Sequence, residues 1–320
     1  MTGFQLDFEK PLIKLKHRIN ELEYAQSKEG LDNSSQIQKL QEELLRKQKE
    51  TFASLTRWQR VQLARHPKRP YSMDYIKNIL SGFIELHGDR NYRDDNALIA
   101  GFAEFDGIPI AVLGQQKGRE TKERIHRNFG MMHPEGYRKA LRIMKLAEKF
   151  SMPIIVFIDT PGAYPGIGAE ERGQAEAIAR NLFEMAKLET PIVCTIIGEG
   201  ASGGALGIGL GDRILIMENA WYSVITPEGC AAILWRDRKQ APKAAETLKL
   251  TSTDLLELGM VDEIIPEPPG AAHWNPEETY DITKKYIKKH LVEIISTDIE
   301  KLKINRLEKY SQMGEYRVIE

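Results

Sequence analysis

The sequence has 320 residues, of which 42% are hydrophobic and 28% are charged, so it can bury a sizeable core as one large domain or two ordinary ones. Its 45 lysines and arginines balance 46 acidic residues, which excludes a global positive field that would recruit nucleic acid or an anionic membrane. The two cysteines, Cys194 and Cys230, lack a CxxC spacing, so we expect neither a disulfide framework nor a cysteine-rich zinc site.

The sequence shows no targeting or membrane-spanning segment. Met1 to Pro11 has no apolar stretch of the kind found in secretory signals. The longest apolar runs, such as Ile154 to Ile158, have the length of a strand and are too short to cross a bilayer. We therefore predict a cytoplasmic protein with reduced cysteines and no membrane insertion.

The segment from Phe8 to about Arg65 has a helical pattern. Apolar residues recur at three- and four-residue steps, as on one helix face: Leu12, Leu15, Ile19, Leu22, Ile37, Leu40 and Leu44. Gly30 to Ser34 interrupts the pattern with a glycine and capping residues. This spacing predicts a helical hairpin, which is either a solvated extension or, because isolated helices are marginal, a contact with another subunit.

Beyond Pro67 the chain alternates strands and helices. Asp106-Gly107 is a two-residue turn signal between apolar runs at Leu98 to Phe105 and Ile108 to Gly114, which predicts a hairpin. The other predicted elements are helices at Pro134 to Lys149 and Glu170 to Leu188, strands at Pro153 to Ile158, Pro191 to Ile197, Arg213 to Met217 and Trp221 to Ile225, a helical turn opening at Pro227, and a charged helical tail from Pro276. This alternation implies parallel strands with crossovers and an α/β fold.

We divide the chain into three parts. Residues 1–66 form the helical arm, residues 67–295 form the core, and residues 296–320 form a C-terminal helical tail. No heptad array or fixed-period repeat suggests a solenoid.

Two glycine-rich loops are the most informative feature of the core. Asp159 to Gly166 and Gly198 to Leu206 each follow an apolar strand and precede a helix. At such a junction the first helical N–H groups lack an internal partner, and glycine allows a substrate to approach the backbone closely. Two such loops side by side can direct a pair of N–H donors at one developing oxyanion.

The two loops resemble those of the carboxyltransferase branch of the crotonase superfamily. Other stretches narrow the resemblance to the alpha subunits of the multi-subunit acetyl-CoA carboxylases of bacteria and plastids: Val224 to Ala231, Ala232 to Trp235, His87 to Arg90 and Gly114 to Gly118. The similarity covers nearly the whole chain, including the arm. Ala201 departs from the pattern, because glycine is more usual at that position.

The resemblance implies a crotonase-like spiral of ββα units that pairs with a beta subunit of similar fold, as two of each. The implied reaction moves a carboxyl group from carboxybiotin, held on a biotin carrier protein, to acetyl-CoA, giving malonyl-CoA for fatty acid synthesis. Biotin carboxylase would belong to the larger complex, and no cofactor would be bound covalently here. ATP would be used elsewhere, consistent with the lack of a GxxxxGK[ST] phosphate loop, and zinc would belong to the beta subunit.

The resemblance also implies the site residues. The amides of Gly203 and Gly204, with Ala205 adjacent, would form an oxyanion hole for the biotin oxygen. The residues expected to complete the biotin pocket are Gly162, Ala163, Tyr164, Gly200 and Ser202. We expect no metal site in this chain.

A basic stretch between the predicted β-hairpin and the helix that begins at Pro134 has two interpretations. It contains Lys117, Arg119, Lys122, Arg124 and Arg127, with only Glu120 and Glu123 as acids. It could hold CoA phosphates or the acidic carrier, or it could be a solvated loop.

Several other residues suggest chemistry that we weigh less. His126 and His133 have no metal-ligand spacing. Ser202 lies in a small-residue turn like a protease nucleophile, but the only later histidines, His273 and His290, would have to reach it. Cys194 and Cys230 lie in apolar surroundings typical of core residues.

Three classes of function therefore remain. The first is a carboxyltransferase subunit that is active with its beta subunit. The second is a freestanding crotonase, such as an acyl-CoA hydratase or decarboxylase, for which Glu199 is the only acid in the second loop. The third is a non-catalytic scaffold for the beta subunit.

Overall fold

The computed structural model describes residues 4–30 and 32–314, and within them eight strands form one mixed sheet. The strands are β1 Ser81–Glu85, β2 Leu98–Phe105, β3 Ile108–Gln115, β4 Ile154–Thr160, β5 Ile192–Ala201, β6 Arg213–Met217, β7 Trp221–Ser223 and β8 Glu263–Ile265. Their order is β1-β2-β3-β4-β5-β6-β8, with β7 pairing with the end of β5. The first three strands are antiparallel, and β3 to β8 pair in parallel.

Helices occupy both ends of the chain and most connections between strands. They are α1 Lys10–Glu29, α2 Ser34–Ala53, α3 Arg57–Ala64, α4 Ser72–Ile79, α5 Thr121–His126, α6 Pro134–Lys149, α7 Ile167–Glu171, α8 Gln174–Lys187, α9 Ser202–Leu206, α10 Pro227–Trp235, α11 Ala241–Leu248, α12 Ser252–Glu257, α13 Pro276–Ile295 and α14 Ile299–Ser311. No helix in this described part has the length and hydropathy needed to cross a membrane. The predicted α/β class is confirmed.

The local sequence signals explain several boundaries. Asp106 and Gly107 both have positive φ, 50° and 84°, as a two-residue hairpin turn between β2 and β3 requires. Pro134 occupies the first turn of α6, where its missing N–H costs nothing. Every residue of β4 and β5 is buried, as expected for central parallel strands covered on both faces.

Several predicted elements differ from the structure: β4 extends to Thr160, β7 ends at Ser223, and the tail from Pro276 is divided into α13 and α14. Two further differences adjoin the glycine loops. The single helix predicted over Glu170 to Leu188 is divided into α7 and α8, because Gly173 adopts φ 80° and caps the start of α8. The strand predicted to end at Ile197 continues to Ala201, so the first four residues of the second glycine loop belong to β5. That extension is paired, since Glu199, Gly200 and Ala201 bond to β7.

The predicted helical hairpin is α1 and α2, joined where Gly30 takes φ 69°; Leu31 lies outside the described residues. The hairpin is fixed to the core through the buried carboxylate of Glu9. One of its oxygens is 2.7 Å from His273 Nε2 and accepts the Trp274 indole N–H at 3.1 Å. His66 stacks on His273 with ring centroids 3.9 Å apart, so these side chains join the arm to the core.

These three side chains, Glu9, His66 and His273, place potential metal-ligand atoms within 4.8 Å of one another, a grouping that the sequence did not suggest. His66 Nδ1 accepts the Lys68 N–H at 3.2 Å, so its Nε2 carries the proton of the neutral ring. That nitrogen is 3.8 Å from Glu9 Oε2, which is beyond hydrogen-bonding distance. Burial lowers the pKa of His66 to about 3, which keeps the ring neutral. In this cluster Glu9 is hydrogen-bonded to His273, and the His66 ring stacks on the His273 ring. These contacts attach the arm to the core.

The division at residues 66 and 295 stays a prediction, and the ends of the predicted arm and tail, residues 1–3 and 315–320, lie outside the described residues. Within the predicted tail, α14 contributes the buried residues Leu302 and Arg306 to the core.

Candidate active site

The two glycine loops meet at one edge of the sheet. Because β4 and β5 are parallel neighbours, their carboxyl ends lie together, and Thr160 is paired with Gly200. The first loop leaves β4 after Thr160, and the second passes from β5 into α9. A Cβ atom at Gly204 would overlap backbone atoms of Gly162 and Ala163. The two loops are therefore in direct backbone contact, which only glycine at position 204 permits.

Some amides of these loops are already engaged. Gly162 N–H donates to Thr160 Oγ1 at 3.1 Å, and Tyr164 N–H donates to the Met132 carbonyl at 3.0 Å. With Ala201 as the N-cap of α9, the Ala205 amide makes the first bond inside that helix. The amides of Gly162, Tyr164 and Ala205 are thus not available to a ligand.

Amides on both sides of the loop contact remain unengaged. Within residues 4–30 and 32–314, the Ala163 N–H has no backbone or side-chain acceptor. Gly203 and Gly204 lie in the first turn of α9, where the helix offers their N–H groups no partner. Ala163 and Gly204 belong to the contacting parts of the two loops. The Ala163 nitrogen therefore lies beside Gly204.

Buried side chains fix the peptide groups around these amides. Gln115 Nε2 donates to the Gly204 carbonyl at 2.7 Å, and the Tyr137 hydroxyl donates to the same oxygen at 3.2 Å. The Gly203 carbonyl accepts the Gly207 N–H at 2.9 Å. Thr160 Oγ1 lies 2.7 Å from the Gly130 carbonyl and so ties the first loop to the preceding turn. The amides are therefore held in place before any ligand arrives.

Ser202, the first residue of α9, has a strained conformation. Its φ is 57°, a left-handed value that costs a non-glycine residue about 1–3 kcal/mol. The residue is exposed at the point where β5 turns into α9. The chain turns sharply at Ser202, and two residues later Gly204 contacts the backbone of the first loop.

The remaining predicted pocket residues have different surroundings. Gly200 is buried in β5, where a Cβ would press into the Tyr222 ring, so its role is to allow close strand packing. Tyr164 is half-buried, with its ring 4.6 Å from that of His133. Its carbonyl accepts a bond from Gln174 Nε2 at 2.9 Å.

A group of buried charges lies beside the two loops. The Lys117 ammonium is 2.7 Å from Asp159 Oδ1 and 2.5 Å from Glu199 Oε2. The other oxygen of Glu199 accepts from Arg65 Nε at 2.5 Å, and Arg65 also pairs with Glu228 in the first turn of α10. Of this group, Lys117, Glu199 and Arg65 border a cavity of about 260 Å³. The cavity is also lined by Tyr71, Phe129 and Pro161.

The protonation states in this group follow from the pairing. Burial raises the pKa of Glu199, but Lys117 and Arg65 outweigh burial and hold it at about 2. Burial lowers the pKa of Lys117, but Asp159 and Glu199 outweigh burial and raise it above its usual value. Burial raises the pKa of Asp159, which is therefore the more easily protonated of the two carboxyls. At neutral pH Lys117 is a cation and Glu199 an anion.

The basic stretch is not a uniform solvated patch. Lys117 is turned inward, with 13% of its side chain exposed. Arg119 pairs with Asp74 at 2.6 Å and lies over the Tyr71 ring at 4.7 Å. Arg124 Nε donates to the Gly118 carbonyl, and Arg127 donates to the Asn96 carbonyl. The prediction that these side chains contact phosphates or the carrier stays a prediction, and Arg124, which lines the cavity, is its best-placed member.

The structure places the later histidines in other pairs. His273 bonds to Glu9, and His290 bonds to Glu263. Neither ring is bonded to Ser202 in the described part of the chain. Cys194 is buried, and burial raises the pKa of its thiol to about 12, so it is a core residue and not a nucleophile.

Exposed apolar side chains follow the two loops along the chain. Ile167 begins the helix after the first loop and is 79% exposed. Val224, which lies between β7 and α10, is 81% exposed, and Ile233 and Leu234 on α10 are 72% and 60% exposed.

Comparison of the sequence with known proteins identifies the family to which the chain belongs. A family model described as acetyl co-enzyme A carboxylase carboxyltransferase-like matches residues 5–314. Acetyl-coenzyme A carboxylase carboxyl transferase subunit alpha from Geobacillus kaustophilus is 54% identical over 311 residues, covering 97% of this chain and 96% of that protein. The same subunit from Syntrophotalea carbinolica is 53% identical over 312 residues, covering 97% and 98%.

Solved structures show the same fold at low identity. A Pseudomonas malonate decarboxylase hetero-tetramer in complex with coenzyme A matches with a TM-score of 0.59 and 15% identity, over 75% of this chain and 94% of that one. Transcarboxylase 12S matches with a TM-score of 0.56 and 17% identity, over 80% of this chain and 44% of that one. The predicted crotonase-like fold is confirmed, and the chain belongs to the acetyl co-enzyme A carboxylase carboxyltransferase-like family.

Proposed function

We propose that this chain is the alpha subunit of an acetyl-CoA carboxylase carboxyltransferase. With a beta subunit it transfers the carboxyl group of carboxybiotin to acetyl-CoA and so makes malonyl-CoA. The observation that carries the proposal is the contact between Gly204 and the Gly162–Ala163 backbone, which places the unengaged Ala163 nitrogen beside Gly204, a residue of the first turn of α9. The full-length relatives named for this subunit support it.

The two amides suit the anions of this reaction. Loss of carbon dioxide from carboxybiotin leaves negative charge on the ureido oxygen of biotin. That biotin anion takes a proton from the methyl group of acetyl-CoA, and the resulting thioester enolate attacks the carbon dioxide. In this scheme the Ala163 and Gly204 N–H groups stabilise the ureido oxygen, while the beta subunit holds the thioester. Fixed N–H donors serve such charge without reorganising during the reaction.

The freestanding crotonase fits the site less well. A hydratase or decarboxylase of that kind requires a carboxyl group that can exchange a proton near neutral pH. Glu199 is the only acid in the second loop, and Lys117 and Arg65 keep its pKa at about 2. Its two oxygens are occupied by those cations. Glu199 is therefore a fixed anion in the proposed mechanism.

The exposed apolar residues that follow the loops, Ile167, Val224, Ile233 and Leu234, form the surface on which we place the beta subunit. The complex would contain two of each subunit, act in the cytoplasm, and receive carboxybiotin from a biotin carrier protein that biotin carboxylase loads. Covering these residues would also enclose the site and exclude water from the carboxyl transfer.

Reconstitution tests the proposal directly. The purified chain is assayed alone and together with a beta subunit of the same family, using biotin and malonyl-CoA in the reverse direction. The account predicts formation of acetyl-CoA only when both subunits are present. Activity of this chain alone would favour a freestanding crotonase. Activity of the pair that survives disruption of the Gly203-Gly204 turn would favour a scaffold.

A further inference from the structure

Lys117 connects the ends of three neighbouring strands. It follows β3 by two residues, while Asp159 is the penultimate residue of β4 and Glu199 lies near the end of β5. Its ammonium touches both carboxylates, at 2.7 and 2.5 Å. Asp159 lies one residue before the end of β4 and Glu199 two residues before the end of β5, so both carboxylates lie on the strand ends that carry the glycine loops. A displacement of Lys117 would therefore change the contacts of both strand ends from which the loops continue.

Further contacts make this connection rigid. Asp159 Oδ1 also accepts the Glu199 N–H at 2.9 Å, which joins the two strand ends directly. Gly198 leaves room for that carboxylate, because a Cβ there would meet Asp159 Oδ1. Arg65 holds the far oxygen of Glu199 and reaches Glu228 on α10. Charges alternate along this line of residues, with the Lys117 cation between two anions.

Without the ammonium, two buried carboxylates would face each other. Like charges brought this close in a buried setting repel strongly and displace the groups that carry them. Glu199 would keep Arg65, but Asp159 would keep only the backbone N–H of Glu199. Asp159 directly precedes Thr160, whose hydroxyl engages Gly162 and shapes the first loop. Displacement of Asp159 would thus move the Ala163 amide away from Gly204.

We propose that Lys117 is a positioning residue, whose ammonium holds the ends of β4 and β5 together and thereby keeps the Ala163 and Gly204 amides directed at one point. This inference rests on the proposed carboxyltransferase function of those amides. It differs from a phosphate-binding role, because the ammonium is occupied by two carboxylates and acts on substrate only through the loops.

The test uses the complex of this chain with its beta subunit and three variants. Lys117→Met removes the cation and keeps the length of the side chain. Lys117→Met combined with Asp159→Asn restores the charge balance, because Glu199 still has Arg65. Arg306→Met is the matched control, since it breaks another buried ion pair, with Asp212, outside this charge group.

Three readouts are measured: kcat, the KM values for biotin and malonyl-CoA, and amide hydrogen exchange of residues 159–164 and 198–205. For Lys117→Met we expect kcat to fall about 10- to 100-fold, below the full loss of one oxyanion donor, with both KM values within about threefold. Exchange in both segments should accelerate. The double variant should recover kcat to within about fivefold of the original, and Arg306→Met should leave kcat and exchange in these segments unchanged.

An unchanged kcat in Lys117→Met, a loss confined to KM, or a double variant no better than the single one would overturn the proposal. If Lys117→Met does not fold, Lys117→Gln replaces it, because it also removes the cation but keeps a hydrogen-bond donor, and it should lower kcat without changing either KM. If the unmodified complex has no carboxyltransferase activity, the proposed function fails. Hydrogen exchange then still decides whether Lys117 fixes the two loops, and unchanged exchange would refute that role.

Discussion

Strand β5 has a buried charged group near each end, and the two groups differ in what surrounds them. Near the amino end, the Arg306 guanidinium donates hydrogen bonds only to groups inside the protein. The acceptors are both carboxylate oxygens of Asp212 and the carbonyls of Met185, Leu188 and Thr190. Near the carboxyl end, Lys117 and Arg65 pair with acids at the start of the glycine loops. Both groups border a cavity, of about 480 Å³ at the amino end and about 260 Å³ at the carboxyl end, so the loops and not the cavity distinguish the two ends.

This difference indicates that the Arg306–Asp212 pair has a structural role, whereas the Lys117–Glu199 pair supports the candidate active site. Both groups hold strand ends in place, and both consist of charges that burial would otherwise make costly. Only at the carboxyl end do the strands continue into glycine loops with unengaged amides. Disturbing the amino end should therefore affect stability alone, whereas disturbing the carboxyl end should affect catalysis.

The largest expected effect is at the amino end. Arg306→Met leaves the Asp212 carboxylate buried without its cation, and removing one partner of a buried pair costs about 3–5 kcal/mol. Chemical denaturation should show a loss of unfolding free energy of that size, while kcat per folded complex stays the same. If kcat per folded complex fell as well, the amino end of β5 would also affect catalysis, which contradicts this account.

At the carboxyl end, Gly204→Val should abolish most activity. Its side chain would collide with the Gly162–Ala163 backbone and separate the two amides, so we expect a loss of about 10²–10³-fold in malonyl-CoA formation. Gly203→Ala is the matched comparison, because a Cβ there meets only Ile178 at 3.5 Å. Its loss should be much smaller. Size-exclusion chromatography of both complexes checks that assembly is intact, and equal losses would contradict the geometry.

The carboxyl end should also contribute to acid sensitivity. The folded state holds the pKa of Glu199 at about 2 against an ordinary value of 4.5, so the stability from this group is complete above pH 4.5 and is lost as the pH falls towards 2. A shift of this size corresponds to about 3 kcal/mol. Unfolding free energy measured at several pH values should fall less steeply below pH 4.5 in Glu199→Gln. The same slope in both proteins would argue against the assigned pairing.

The smallest effect concerns the basic stretch. If Arg124 contacts a phosphate or the carrier, Arg124→Gln should raise a KM about two- to fivefold, the size expected when one exposed charge is lost. Arg180→Gln is the control, because Arg180 pairs only with Glu184 on α8. Steady-state kinetics of both variants decide the matter. If the two variants have the same KM values, Arg124 makes only contacts within the protein and binds neither a phosphate nor the carrier.

Much of this framework could be predicted from local sequence. The turn at Asp106-Gly107, the helix opened by Pro134 and the break after Gly30 follow from backbone preferences of one or two residues. The adjacency of the glycine loops followed from parallel pairing, which places the ends of successive strands together.

The remaining features depend on contacts that sequence patterns do not encode. Lys117 lies in a stretch of basic residues and suggested a solvent-facing cation, yet it pairs with Glu199, which is 82 residues away. Gly162 looked as suitable a donor as Ala163 until the Thr160 hydroxyl was seen to take its N–H. The joint at Glu9 and His273 spans 264 residues of sequence.

The position of biotin in a complex of both subunits is the most direct test. The ureido oxygen should lie about 2.7 to 3.1 Å from both the Ala163 and the Gly204 nitrogens, as oxyanion donors require. A crystal structure with biotin bound would measure both distances. If the ureido oxygen were held by other groups while these two amides faced solvent, the two loops would not be the site of carboxyl transfer.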